Sequence, residues 1–271
     1  MEENLGRFVA QVERPEPLKF AWPIVLLPEM FTTTRQLAAL LGYLGTIGWE
    51  VYAPDLRAMP GQAPTPSLET FTFDDLAKLA SEAVEALGRD AVVLGHGAGG
   101  LAALKLSDHP KVKASVAYAP QVPGFASPIV SGWAARIARW RGHPLNLPVG
   151  KAGFEFVADA EPYQREAAIR AMVPDSAAMA FQIARGEVKI PSGGAPRLIV
   201  AGDSDIFAPI GELTKFADSI GARLVTLQGR GHWLIGGRAL ERAINETQRF
   251  LVRALGQDLL LLYPEEWKEK E

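Results

Sequence analysis

Val92-Val93-Leu94-Gly95-His96-Gly97-Ala98-Gly99-Gly100 is an apolar run that breaks into a glycine-rich turn, and Leu101-Ala102-Ala103-Leu104-Lys105 continues it with good helix formers. A short, continuous apolar run stopped by glycine reads as a strand buried on both faces, the kind that sits inside a parallel sheet. Strand followed directly by helix is the first half of a βαβ unit. The turn lacks the G-x-G-x-x-G spacing of a dinucleotide fingerprint, and no Gly-Lys-Ser/Thr follows it, so a nucleotide phosphate site is not indicated.

The same alternation extends both ways. Residues 24–27 form a buried strand ended by Pro28. Residues 35–47 carry Leu37, Leu40, Leu41 and Leu44 at helical spacing and stop at Gly48. Strands follow at 49–53 and 112–118, with an amphipathic helix at 74–87 between them. Segments 8–12 and 18–22 are expected to pair as an amino-terminal hairpin, and 59–67 is a Pro/Gly/Gln-rich loop. From 123 to 194 the rhythm breaks into helical patterns around 133–140, 162–172 and 176–185. Trp133, Trp140, Phe154 and Phe156 are expected to pack that segment, some of them lining an apolar pocket. The rhythm returns with strands at 197–201 and 223–227 and helices at 210–220 and 238–255; the tail packs only through 259–263. The expected architecture is α/β: a mostly parallel sheet flanked by helices, built from 1–122 and 195–271, with a helical cap inserted at 123–194.

Composition narrows the function. The 271 residues carry a formal charge of −3 with 48% hydrophobic and 22% charged residues, which suits a globular domain and offers no basic stripe for nucleic acid or an anionic membrane. There is no cysteine, which removes thiolate catalysis, disulfides and cysteine-based metal sites. Four histidines without regular spacing indicate no metal site, and no cofactor is expected. The first residues lack the basic and apolar regions of a signal peptide, and no apolar run is long enough to span a bilayer. A cytoplasmic protein that binds a small molecule, with neither nucleic acid nor membrane as partner, is the expectation.

Three motifs in order resemble the α/β-hydrolase superfamily. Gly95-His96-Gly97-Ala98-Gly99 is similar to its nucleophile elbow, G-x-S-x-G, with Gly97 at the serine position. Gly202-Asp203-Ser204-Asp205-Ile206-Phe207-Ala208-Pro209 is similar to its G-x-x-D-x-x-x-P segment, which maps the triad acid to Asp205 rather than Asp203. Gly229-Arg230-Gly231-His232-Trp233 resembles its histidine loop and maps the base to His232. The resemblance also implies that Met30 and Ala98 supply the backbone N–H groups of an oxyanion hole. The family's His-Gly pair is replaced by Pro28-Glu29.

Each of these residues also has a plain structural reading. Gly97 either relaxes a strained turn or opens a vacancy beside His232 for water, dioxygen or a substrate atom. His96 supports the turn. Glu29 is an exposed loop acid by default and an acid/base candidate if it faces inward. Thr32, Thr33 and Thr34 cap the helix beginning near Arg35 rather than supplying a hydroxyl nucleophile. Two functions stand side by side. One is water-mediated hydrolysis or proton abstraction by a His232–Asp205 dyad on a small apolar carbonyl, ester or lactone. The other is a catalytically inactive pseudoenzyme with a binding or scaffold role. A serine removed by design is a third possibility, opposed by the altered Pro28-Glu29.

Overall fold

The computed structural model describes residues 1–56, 67–147 and 150–261. Among them, eight strands form one sheet: β1 (Glu2–Leu5), β2 (Phe8–Glu13), β3 (Ile24–Leu27), β4 (Val51–Pro54), β5 (Ala91–His96), β6 (Val112–Tyr118), β7 (Arg197–Gly202) and β8 (Arg223–Leu227). Their spatial order is β1-β2-β4-β3-β5-β6-β7-β8. Every pairing from β4 to β8 is parallel, and β1 and β2 are antiparallel additions at one edge. The helices are α1 (Ala38–Thr46), α2 (Phe73–Ala86), α3 (Gly97–Lys105), α4 (Pro128–Ser131), α5 (Trp133–Arg141), α6 (Lys151–Phe156), α7 (Pro162–Arg170), α8 (Ala177–Ala184), α9 (Ile210–Ile220) and α10 (Leu240–Leu255).

Alternate residues of the central strands feed two separate cores. Val116 and Tyr118 of β6 join Leu198 and Val200 of β7 in one, while Ala117 joins Ile199 and Ala201 in the other. A strand's side chains alternate between faces, so both faces of this sheet are covered, as the apolar runs require. Helix α10 shows how its covering face is encoded: Leu240, Ala243, Ile244, Thr247 and Leu251 are buried at spacings of three and four.

Two expectations need correction. The hairpin joins Glu2–Leu5 to Phe8–Glu13, not 8–12 to 18–22. Gly6, at φ 59°, makes the tight turn, and the other edge of β2 pairs with β4, leaving 18–22 only a single bridge, Phe20 to Leu260. The aromatic cluster is dispersed as well: Phe156 is buried, whereas Trp133, Trp140 and Phe154 are exposed. The inward side of α5 is occupied by Ala135 and Ala138, so its tryptophans fall on the other side. Helices α4 and α6, four and six residues long, are too short to show a helical period in sequence. Residues 59–66 of the expected loop and 262–263 of the expected tail contact lie outside the described residues. No described helix is long and apolar enough to cross a membrane.

Candidate active site

Segments leaving the carboxyl ends of β3, β5, β7 and β8 converge, the place where open parallel sheets hold ligands. Strand β5 ends at His96, and Gly97 enters α3 at φ 51°, a backbone conformation that disfavours a side chain. Gly99 is required for closeness: a Cβ there would overlap the carbonyls of Leu27 and Pro28. The turn therefore lies against the segment that leaves β3, and Glu29 stands directly beside Gly97.

The Glu29 carboxylate is fully buried. Its Oε1 accepts from the backbone N–H of Met30 at 2.5 Å, the backbone N–H of Ala98 at 3.0 Å and the Gln121 amide at 3.0 Å. Its Oε2 lies 3.3 Å from His232 Nε2, and a Cβ built onto Gly97 would land on that same oxygen. Glu29 is thus no exposed loop acid, and its carboxylate fills the space that one of the two readings of Gly97 left open.

The histidine end is equally defined. His232 Nδ1–H donates to Asp205 Oδ2 at 2.8 Å, and Asp205 Oδ1 accepts from the N–H groups of Phe207 and Ala208. Asp203, the competing acid, bonds Ser204 and Gly229 N–H at the surface instead. Burial opposes charge on His232, but the charge and hydrogen bond of Asp205, then those of Glu29, outweigh it and raise its pKa to about 10. Burial likewise opposes charge on Asp205, yet His232 and the two N–H donors hold it below the usual carboxylate range. The His232 ring therefore stands between two carboxyl groups, Asp205 at Nδ1 and Glu29 at Nε2. The rings of Phe156 and Phe207 pack against that imidazolium, with centroids 4.8 Å and 5.1 Å away.

His96 sits beneath. Its Nε2–H donates to the His232 carbonyl, and burial followed by the neighbouring His232 charge lowers its pKa to about 4, so it stays neutral and braces the histidine loop. Glu29, His96 and His232 each place one atom able to bind a metal within 4.8 Å of one another. In this arrangement Glu29 Oε2 and His232 Nε2 face each other and His96 is engaged with a carbonyl. Two of the three groups thus face each other, while His96 keeps its Nε2 on the carbonyl and its buried Nδ1 has no hydrogen-bond partner among the described residues.

Residues from the helical segment hold these loops in place. Phe31 has the positive φ of 63°, costly for a bulky residue; its N–H donates to Asp175 and its carbonyl accepts from Val173 N–H. Asp159 accepts from Gly231 N–H, one residue before His232. Gln121, Asp175 and Asp159 escaped the sequence reading of the site, because none belongs to a motif; Phe156, expected among the pocket aromatics, packs against His232. Thr33 caps the helical turn at Thr34–Leu37 with Gln36, as the threonine run suggested.

Residues 21–244 match the model of the alpha/beta hydrolase family. The chain belongs to that family. Solved structures of similar fold include the Paleococcus ferrophilus monoacylglycerol lipase, with TM-score 0.69 and 18% identity over 90% of this chain and 98% of that one. A thermophilic esterase from Thermogutta terrifontis gives 0.66 and 18% over 91% and 94%. An N-acyl homoserine lactonase, carrying a serine-to-glycine mutation and complexed with N-hexanoyl homoserine lactone, gives 0.66 and 16% over 95% and 98%. No curated protein sequence matches. At these identities the likeness extends to the fold alone, and the chemistry rests on the residues of this chain.

Proposed function

We infer that this chain is a hydrolase in which the Glu29 carboxylate replaces the serine of an ordinary nucleophile elbow, with Gly97 left small to admit it. One observation carries this reading: Glu29 Oε1 rests on the Met30 and Ala98 N–H groups while Oε2 faces His232. Those N–H groups form the oxyanion hole, and His232 and Asp205 complete a triad around a carboxylate nucleophile. The segment 123–194 acts as its cap.

The same geometry selects the electrophile. In serine chemistry the hole stabilises charge on the substrate's carbonyl oxygen, but here Oε1 already holds both donors. An ester or lactone carbonyl has no donors to move onto, so acyl transfer is disfavoured. A saturated carbon needs none. His232, protonated at rest, is also poorly suited to act first as a base and well suited to protonate a leaving oxygen. An apolar epoxide fits both conditions. Oε2 attacks a ring carbon, the ring C–O bond breaks, and its oxygen takes the His232 proton. Glu29 is now a neutral ester whose carbonyl oxygen, Oε1, already lies in the hole. Neutral His232 takes a proton from water as that water attacks Cδ. The intermediate collapses by breaking the bond to the original Oε2, and its remaining hydroxyl proton passes to the departing alkoxide. A diol leaves, and carboxylate and imidazolium are restored.

A second reading has its own support. The cavity beside Glu29, lined by Met30, Leu56, Ala98, Asp175 and Met179 among others, holds only about 10 Å³, so the carboxylate equally suits a permanent plug in a protein without activity. Turnover requires this cavity to widen. Assay of aryl and alkyl epoxides beside aryl esters separates the readings. Diol formation that Glu29→Gln lowers by on the order of a thousandfold supports the enzyme. Absence of turnover on every epoxide supports the plug, and esterase activity indifferent to Glu29→Gln overturns the Glu29 chemistry.

A further inference from the structure

Helix α5 is built the wrong way round for a helix on a globular surface. Trp133, Ile137 and Trp140, spaced i, i+4 and i+7, are 77%, 40% and 82% exposed, and the only buried residue of the helix is Ala135. At 3.6 residues per turn the three large side chains share a sector of roughly 60°, with Ala135 roughly opposite. Arg136 and Arg141 border that sector on its two sides, Arg139 lies further round, and all three are exposed. The helix contains no acidic residue. An ordinary amphipathic helix turns its large apolar residues inward. This one presents two indoles to the outside, flanked by guanidinium groups.

We propose that this face of α5 seats the protein on an anionic lipid surface, with Trp133, Ile137 and Trp140 entering the interfacial layer and Arg136 and Arg141 meeting lipid phosphates. Tryptophan favours the boundary between hydrocarbon and water, and arginine's long stem lets its head reach the phosphates while the helix lies in the plane. Charge complementarity distinguishes lipid from a second copy of the chain. Two-fold pairing through this face would set arginines against arginines, whereas an anionic leaflet offers opposite charge everywhere. The chain as a whole carries −3, so the attraction is local to this helix and weakens as salt screens it. The sequence total concealed it for the same reason. Helix α5 packs against α8, whose Met179 lines the cavity beside Glu29, so a seated protein holds its site close to apolar compounds dissolved in the bilayer.

Sedimentation with vesicles of phosphatidylcholine alone, and of phosphatidylcholine mixed with phosphatidylglycerol, tests this on the full chain. Two arginines near an anionic surface correspond to roughly thirtyfold tighter partition than onto the neutral vesicles at low salt. Trp133→Ala with Trp140→Ala is expected to abolish binding. Arg136→Glu with Arg141→Glu, which keeps both indoles, is expected to remove the preference for anionic lipid. Circular dichroism melting of both variants should match the wild type. Brominated lipid should quench wild-type tryptophan emission and leave largely unchanged that of the variant lacking Trp133 and Trp140, which keeps the other four of the six tryptophans. Failure to sediment with anionic vesicles, or unchanged sedimentation of the tryptophan variant, overturns the proposal. So does a concentration-dependent dimer that the tryptophan substitutions dissolve without any vesicle binding, which would give the face to a second copy.

Discussion

The strand-end loops and the helical segment above them handle awkward groups in opposite ways. At the strand ends three titratable side chains are buried together, and each is met by partners: Glu29 by three N–H groups and His232, His232 by two carboxyl groups, Asp205 by His232 and two N–H groups. In the helical segment two indoles stay in water although their helix had an inward side available. Buried charge is tolerable only when it is paired and hydrogen-bonded, so the first region is over-determined. Exposed tryptophan carries no such constraint, so within the helical segment the outer face of α5 is free to change. Substitutions should be costly in one and nearly silent in the other.

The largest effect belongs to Asp205→Ala, which leaves the imidazolium of His232 short of its stronger partner. Breaking a buried pair by removing one member costs about 3–5 kcal/mol, readable by urea unfolding. A loss below about 1 kcal/mol would mean that water already reaches the pair. Gly97→Ser comes next. It forces a side chain into φ 51° and onto Glu29, with a cost on the order of 1–3 kcal/mol for the backbone before the collision is counted. Adding Glu29→Ala to Gly97→Ser should recover part of that loss, a non-additivity expected only if the two residues compete for one space. The double variant should also gain a burst of product from an activated aryl ester, because the hole is then empty and a hydroxyl stands beside His232.

Asp175→Ala should cost about 1–3 kcal/mol, because the N–H of Phe31 loses its acceptor and the strained turn its tie. The pH dependence is smaller and has a definite sign. His232 is raised from its ordinary value near 6.5 to about 10, so its contribution is complete below about 6.5 and lost as pH rises through 10. Thermal melting should therefore fall between neutral and alkaline pH in the wild type, and His232→Gln should flatten that fall. The smallest effect is that of Trp133→Ala with Trp140→Ala, within about 0.5 kcal/mol, since neither ring supports the core.

How much was readable in advance follows the same division. The elbow-like turn, Asp205 and His232 sit in motifs whose local spacing carries information, and the alternating strands and helices gave the α/β sheet with its long helical interruption. Glu29 was visible as a departure from the family, but its direction was not. That depends on the turn at Phe31, which Asp175 fixes from 144 positions away. Gln121 completes the cradle from the end of β6 without belonging to any motif. The tryptophans of α5 misled because helical spacing shows which residues share a face and is silent on which way the face points; the small alanines opposite were the missed clue.

The most direct test of the Glu29 chemistry is a single turnover of an aryl epoxide by excess enzyme in oxygen-18 water, followed by mass analysis of the peptide containing Glu29. If water attacks Cδ of an ester formed on Oε2, the heavy oxygen remains in that peptide and the diol carries an unlabelled oxygen from the protein. Heavy oxygen in the diol, with the peptide unlabelled, would mean that water attacks the substrate directly and that Glu29 is not the nucleophile.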